Sequence, residues 1–182
     1  MAILPIVPYP DPRLRTVAQP VTSFDAALEN LAKDLDETMR AAPGIGITAP
    51  HVGIALRLAV IALDQTPARF FVNPRVVWSS PQTTRYAEGS VSMPGVVEEI
   101  ERPASVNVAY QDLNGADQSE AADGLLSICL QHEIDQLDGV FWLQRLSRLR
   151  RERVIRRFEK LTRADRHWQS NERKDHDHEQ TG

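Results

Sequence analysis

The segment at residues 131–139, which reads QHEIDQLDG, constrains the fold and the chemistry of this chain more than any other. It follows an apolar run and ends at Gly139, a residue type that commonly closes a helix, so it predicts a helix. Residues 132 and 136 then lie one turn apart on the same face. In the zinc-type His-Glu-x-x-His motif, imidazoles at these two positions hold a divalent metal and the intervening glutamate moves a proton. Here His132 and Glu133 are present, but Gln136 stands where the second imidazole belongs.

Apolar spacing along the rest of the chain predicts a single domain in which helices flank several strands. Five prolines within the first 22 residues predict extended or turn structure there. The predicted order of helix, strands and helix is typical of an α+β fold with a mainly antiparallel sheet. The predicted helices span residues 24–40, 124–137 and 145–160, and the predicted strands span 56–63, 70–78, 96–100, 105–111 and 120–122.

Composition argues against several classes of protein. The net charge is only −4, which disfavours a globally basic nucleic-acid binder, so no DNA partner is expected. Cys129 is the single cysteine and is predicted to be a core residue. No apolar run approaches the roughly 20 residues of a membrane helix, and the N-terminus lacks the pattern of a signal peptide. A cytoplasmic protein without a membrane partner is expected, with one domain at 1–161 and a polar, flexible tail at 162–182.

Two further segments carry chemistry. The first reads GIGITAPH over residues 44–51, and the second reads EGSV over residues 88–91. The paired glycines of the first segment are not followed by the rest of a dinucleotide or phosphate-loop pattern, so nucleotide binding is excluded. Both segments precede QHEIDQ at 131–136 in the chain, and the order and spacing of the three segments carry information together.

Together the three segments resemble the signatures of the peptide deformylase family, which read G-[hydrophobic]-G-[hydrophobic]-A-A-x-Q, E-G-C-[hydrophobic]-S and Q-H-E-x-D-H. The resemblance covers about residues 3–161 of the chain. It implies a peptide-deformylase-like α+β fold, with mainly antiparallel sheets around a central helix that carries the third signature, plus a C-terminal helix. It also implies a metal-dependent hydrolase that removes the N-formyl group from the N-terminal methionine of nascent proteins.

The same resemblance implies roles for individual residues. Glu133 and His132 correspond to the catalytic glutamate and a metal ligand, and the backbone N–H of Val91 to an oxyanion donor. Ser90 and Gln136 occupy the positions of the other two metal ligands, a cysteine and a histidine. His51 stands where the family has its catalytic glutamine. The positions expected to shape or support the pocket are Gly44, Gly46, Glu88, Gly89 and Arg102, of which Glu88 and Arg102 are predicted to form a salt bridge.

The substitutions predict a much weaker metal site. A cysteine ligand is a thiolate and a soft, charged donor, whereas the hydroxyl of Ser90 stays protonated and neutral. The carbonyl of Gln136 is a hard, neutral donor that suits calcium better than iron or zinc. Without a metal, nothing lowers the pKa of an attacking water from about 15.7 toward 7.

Three hypotheses follow for the altered site. In the first, deformylase activity is lost or greatly weakened, and the site holds no metal or only a weakly bound iron, nickel or zinc. In the second, His51 and His132 rebuild a metal site with Ser90, Gln136 or water, and some hydrolase activity remains. In the third, Ser90 and His132 form a metal-free acyl-transfer pair. A different class of function is a non-enzymatic binder of nascent N-terminal peptides, or a regulator of an active relative.

The basic run at 145–160 predicts one further partner. Eight arginines and lysines in this run stand against two glutamates. Most such runs are solvated helix faces, but the resemblance also implies a C-terminal helix that can dock on the ribosome near the nascent chain. A nascent chain and the ribosome are therefore the expected partners.

Overall fold

The computed structural model describes residues 2–63 and 66–179, with side chains described through residue 164. Three α-helices, seven β-strands and three short 3-10 helices form the regular structure of those residues. The helices are α1 (Ala26–Ala41), α2 (Gly124–Leu137) and α3 (Arg148–Glu179). The strands are β1 (Gly46–Thr48), β2 (Leu58–Ile61), β3 (Arg69–Ser79), β4 (Thr83–Ser90), β5 (Met93–Pro103), β6 (Ser105–Gln111) and β7 (Asp117–Asp123).

The strands form two antiparallel sheets with α2 packed against both. The larger sheet has the order β1-β2-β3-β6-β7, and β4 and β5 form a separate hairpin. Helix α2 contacts strands of the larger sheet and β5 of the hairpin. Ten of its fourteen residues are buried, as expected for a helix without a solvent face. The predicted architecture, antiparallel sheets around a central helix plus a C-terminal helix, is confirmed.

Local sequence explains where α1 begins. The side chain of Asp25 accepts hydrogen bonds from the backbone N–H groups of Ala27 and Leu28, which an N-cap residue commonly does. The helix begins two residues later than predicted, because the carboxylate of Asp25 caps the unpaired N–H groups of its first turn. The buried face of the helix includes Leu28, Leu35 and Met39.

Strand β3 contains an irregularity at Asn73 and Pro74. Its pairing with β6 shifts register between Val72 and Arg75, and Asn73 has a positive φ of 51°. Because Pro74 cannot donate a hydrogen bond to a neighbouring strand, a bulge at this point is the expected outcome. Strand β4 was not predicted, because its sequence TTRYAEGS lacks the alternation of apolar and polar residues by which strands are recognised.

Helix α3 packs on the hairpin. Its basic residues Arg150 and Arg157 both bind the carboxylate of Glu98 on β5, and Val154 and Phe158 join the core beneath. The helix begins three residues later than predicted. The division of the chain at residue 161 into a domain and a tail stays a prediction. No helix within the described residues is long and apolar enough to cross a membrane.

Candidate functional site

One cavity of about 510 Å³ collects most of the residues that the sequence singled out. It lies between α2, the β4–β5 hairpin and the chain that leads into β1. The predicted residues that line it are Gly44, Gly46, His51, Glu88, Gly89, Ser90, Val91, His132 and Glu133. Two predicted residues, Arg102 and Gln136, are not among the lining residues.

The side chain of Gln136 is bonded elsewhere. Its Nε2 donates a hydrogen bond of 2.7 Å to the backbone carbonyl of Leu14, in the N-terminal segment, and the residue is buried. The position that the resemblance assigns to a second metal-binding imidazole therefore joins α2 to the N-terminal segment. A buried amide that donates to a backbone carbonyl makes a structural hydrogen bond, and breaking it costs about 1–3 kcal/mol.

The retained histidine is oriented by a buried carboxylate. Nδ1 of His132 lies 2.9 Å from Oε2 of Glu88, which leaves Nε2 for the cavity. Burial lowers the pKa of His132, but the hydrogen bond to Glu88 and the charges of Glu133 and Glu88 outweigh it and raise the pKa overall. For Glu88, burial raises the pKa, but hydrogen bonds with His132 and Arg102 outweigh burial and lower it.

The predicted pairing of Glu88 with Arg102 is present and extends further. Arg102 binds Glu88 through two nitrogens, at 2.6 and 2.9 Å, and binds Asp135 of α2 at 2.8 Å. Asp135 also pairs with Arg145, which follows α2. The role of Asp135 was not predicted. Asp135 does not line the cavity and lies beside two arginines, which is typical of a structural ion pair. The network joins the hairpin to α2 behind the cavity.

The imidazole of His51 is fixed by Thr48. The backbone N–H of Thr48 donates to Nδ1 of His51 at 3.0 Å, and Oγ1 of Thr48 lies 2.9 Å from the same nitrogen. Nε2 of His51 is buried without a hydrogen-bond partner in the described structure. Burial, and to a smaller degree the charge of His132, lowers the pKa of His51 from 6.5 to about 3, so the ring is neutral. Thr48 is the N-cap residue of a short 3-10 helix, Ala49–Val52. The sequence contained a signal for this role, since a threonine three residues before a polar side chain at a helix start resembles a capping box.

Glu133 also lines the cavity, and one of its carboxylate oxygens is buried. Its Oε2 is buried without a hydrogen bond within the described residues. Burial raises the pKa of Glu133 from 4.5 to about 7, and the nearby charge of His132 offsets only part of this effect. Gly46 makes room for the carboxylate, because a Cβ at this position would lie 2.3 Å from Oε1 of Glu133.

Two other polar side chains that line the cavity, Ser90 and Cys129, are weak ligands for a metal. Oγ of Ser90 accepts a hydrogen bond of 3.2 Å from the backbone N–H of Ser92. Cys129 belongs to the core, as predicted, and also lines the cavity. Burial, followed by the charges of Glu133 and Glu88, raises the pKa of its thiol to about 12, so the thiol is protonated.

The described side chains contain no ready-made group of metal ligands. Structural and catalytic sites use three or more protein ligands. Among the side chains that the structure describes, no group of three or more histidines, cysteines, aspartates or glutamates is placed to hold a metal ion. Of the three assigned ligand positions, His132 offers Nε2, Ser90 offers a neutral hydroxyl, and Gln136 does not line the cavity.

The mouth of the cavity is apolar. Ile45, Tyr86 and Val97 line it and are about half exposed. The bare Cα of Gly44 lets the chain approach Val91 closely, since a Cβ there would lie 2.8 Å from Cγ1 of Val91. An apolar opening that leads to a few unpaired polar atoms is the usual form of a site for a small ligand or a peptide end.

Comparison with known proteins places the chain in a family. The family model described as polypeptide deformylase matches residues 3–152. A protein of Brucella melitensis named "peptide deformylase-like" is 60% identical over 164 residues, which cover 90% of this chain and all of that protein. A protein of Brucella suis named "peptide deformylase" is 46% identical over 165 residues, which cover 88% of this chain and 94% of that one.

A solved structure agrees in fold. The crystal structure of a peptide deformylase from Legionella pneumophila superimposes with a TM-score of 0.85 at 38% identity and covers 90% of this chain and 98% of its own. The match in sequence and the match in structure both extend over almost all of the domain that contains the cavity. The chain belongs to the polypeptide deformylase family.

Proposed function

We propose that this chain keeps the deformylase fold and its cavity, has lost or greatly weakened deformylase activity, and binds the N-terminal peptides of nascent proteins in the cytoplasm. One observation carries the proposal: the amide of Gln136 donates to the carbonyl of Leu14 and is not part of the cavity lining. A metal in the cavity would therefore have one imidazole and one neutral hydroxyl from the three assigned positions.

Replacing two of the three ligands should weaken metal binding strongly. Losing even a residue that supports a metal ligand commonly lowers metal affinity about 10–100-fold. Here the thiolate position holds Ser90, and the second imidazole position holds Gln136. Both changes remove a direct ligand, so we propose that the chain does not retain a catalytic metal ion. Glu133 alone does not activate water, because the pKa of bulk water, about 15.7, lies far above that of any carboxylate.

The geometry of His51 argues against a rebuilt metal site. A histidine ligand binds its metal through a nitrogen lone pair, while the other nitrogen carries the proton. The backbone N–H of Thr48 already donates to Nδ1 of His51, so the proton of the neutral ring is on Nε2, the nitrogen without a partner. That nitrogen is a hydrogen-bond donor in this arrangement.

The names of the relatives fit the proposal. The "peptide deformylase-like" protein is 60% identical to this chain, and the protein named "peptide deformylase" is 46% identical. The apolar mouth formed by Ile45, Tyr86 and Val97 suits the side chain of a large apolar N-terminal residue.

Binding without turnover is the test. Isothermal titration of the purified full chain with an N-formylmethionyl tripeptide measures affinity, and the release of formate from the same peptide measures turnover. We expect saturable binding and formate release at least a thousandfold slower than for an active relative assayed in parallel. Fast formate release would refute the loss of activity, and the absence of binding would refute the peptide-binding role.

A second proposal concerns α3, whose outward face is basic. Arg153 and Lys160 have no ion pair within the described side chains, and Arg156 and Arg163 are held only by long contacts of 3.6 and 3.7 Å to glutamates. This face is free to meet ribosomal RNA. Co-sedimentation with ribosomes should fall steeply as the salt concentration rises. Binding that does not depend on the salt concentration would contradict the proposal.

A further inference from the structure

The cavity contains two buried polar atoms that have no hydrogen-bond partner among the described residues. They are Nε2 of His51 and Oε2 of Glu133, and both residues line the cavity and are at least 95% buried. Leaving such an atom unpaired costs about 1–3 kcal/mol. Two in one cavity indicate a place where a ligand supplies the missing partners.

Thr48 determines what His51 offers to that ligand. Nδ1 has one lone pair in the plane of the ring, and the backbone N–H of Thr48 points to it at 3.0 Å. The hydroxyl of Thr48, at 2.9 Å, can donate to the same nitrogen. Because Nδ1 is an acceptor, Nε2 carries the proton and needs an acceptor from the ligand.

We propose that Thr48 is a positioning residue that locks His51 in its Nε2–H form, and that His51 binds a ligand carbonyl oxygen without the help of a metal. Oε2 of Glu133, in the same cavity, is then left to accept a hydrogen bond from a donor of the same ligand. The inference rests on the proposed function and names its ligand class: peptides whose terminal nitrogen is acylated. A free terminal ammonium offers no acceptor to His51, so its binding gains nothing from this hydrogen bond.

The change in the first signature is consistent with this pairing. The family pattern has alanine and glutamine where this chain has Thr48 and His51, and an alanine has no hydroxyl to hold a ring. Both residues of the pair are almost completely buried, at 0% and 1% exposure, so neither is placed to serve a surface contact.

The tautomer is measured first. A long-range ¹H–¹⁵N correlation spectrum of the full chain, with His51→Gln to assign the signals, reports which ring nitrogen carries the proton. We expect Nε2–H in the protein without peptide. A proton on Nδ1 would overturn the inference, whatever the peptide affinities are. Thr48→Val should increase exchange between the two forms, and Thr48→Ser should restore the wild-type spectrum.

Affinity is measured second, for an N-formylated tripeptide and the same tripeptide with a free amine. We expect His51→Phe to weaken binding of the formylated peptide about tenfold to a hundredfold and to leave the free-amine peptide unchanged. His51→Gln, which keeps a donor, should lose less, and Thr48→Val about threefold to tenfold. If wild-type protein binds neither peptide, the proposed function fails. If it binds the formylated peptide and His51→Phe binds it equally well, this inference fails alone.

Discussion

Replacing Glu133 by glutamine is expected to stabilise the fold, by an amount that grows with pH. Burial raises the pKa of this carboxyl from 4.5 to about 7, and Oε2 has no partner within the described residues. The folded state therefore binds the proton more tightly than the unfolded state does. The stability that Glu133 contributes is complete below pH 4.5 and is lost as the pH rises from 4.5 to about 7.

The magnitude follows from the shift. A change in pKa from 4.5 to about 7 corresponds to roughly 3 kcal/mol of unfolding free energy. Glutamine has nearly the same shape and no charge, so Glu133→Gln avoids the loss. In urea titrations monitored by circular dichroism, we expect wild type and variant to agree near pH 4.5, and the variant to be about 2–3 kcal/mol more stable near pH 8.

A matched control separates this effect from the removal of any carboxylate. Glu99 on β5 is exposed, so Glu99→Gln should change the stability by less than about 0.5 kcal/mol at each pH. If the difference between wild type and Glu133→Gln is the same at both pH values, the carboxyl does not titrate across this range and the reasoning is refuted.

Three further changes test other parts of the site. The free energy of unfolding of His51→Gln should fall less than that of wild type, by up to about 4 kcal/mol, when the pH is lowered from 6.5 to 3. The lowered pKa of His51, about 3, means that wild type loses stability as the pH falls from 6.5 towards 3; an equal fall in both proteins would contradict this. Arg102→Gln removes the cation that two buried carboxylates, Glu88 and Asp135, share and should cost about 3–5 kcal/mol in urea titrations, whereas the exposed Arg85→Gln should cost under about 1 kcal/mol; equal losses would show that burial of the network is unimportant. Gly46→Ala should cost about 1–3 kcal/mol in the same titrations, and Glu133→Ala in the same chain should recover most of it, since the clash is with that carboxylate; additive losses would place the strain elsewhere.

The fold was predictable where one residue pattern dominates. Helix α2 was predicted from Gly124 to Leu137 with its observed bounds, because an apolar run ends there at a glycine. Strand β4 was not predicted, because it lies on an exposed hairpin where pairing with β5 replaces the apolar alternation that marks a strand. Its existence depends on contacts between strands, which a local pattern does not contain.

The set of residues that lie together at the site was predictable from the sequence. The three segments place His51, Ser90 and His132 at one cavity, as the resemblance implies. The direction in which a side chain is bonded was not predictable. Gln136 donates to Leu14, a residue 122 positions away, and such a partner is known only once the N-terminal segment is packed against α2. Distant contacts of this kind decide whether a motif residue serves the cavity or the core.

Metal binding tests the central claim most directly. The full chain is purified without oxygen, supplied with iron, nickel or zinc in separate samples, and analysed for bound metal beside the double variant Ser90→Cys, Gln136→His. We expect the wild type to retain far less than one metal ion per chain. The double variant should retain close to one, because a thiolate and a second imidazole then join His132. One tightly held metal ion per wild-type chain, together with release of formate from a formylmethionyl peptide, would contradict the account.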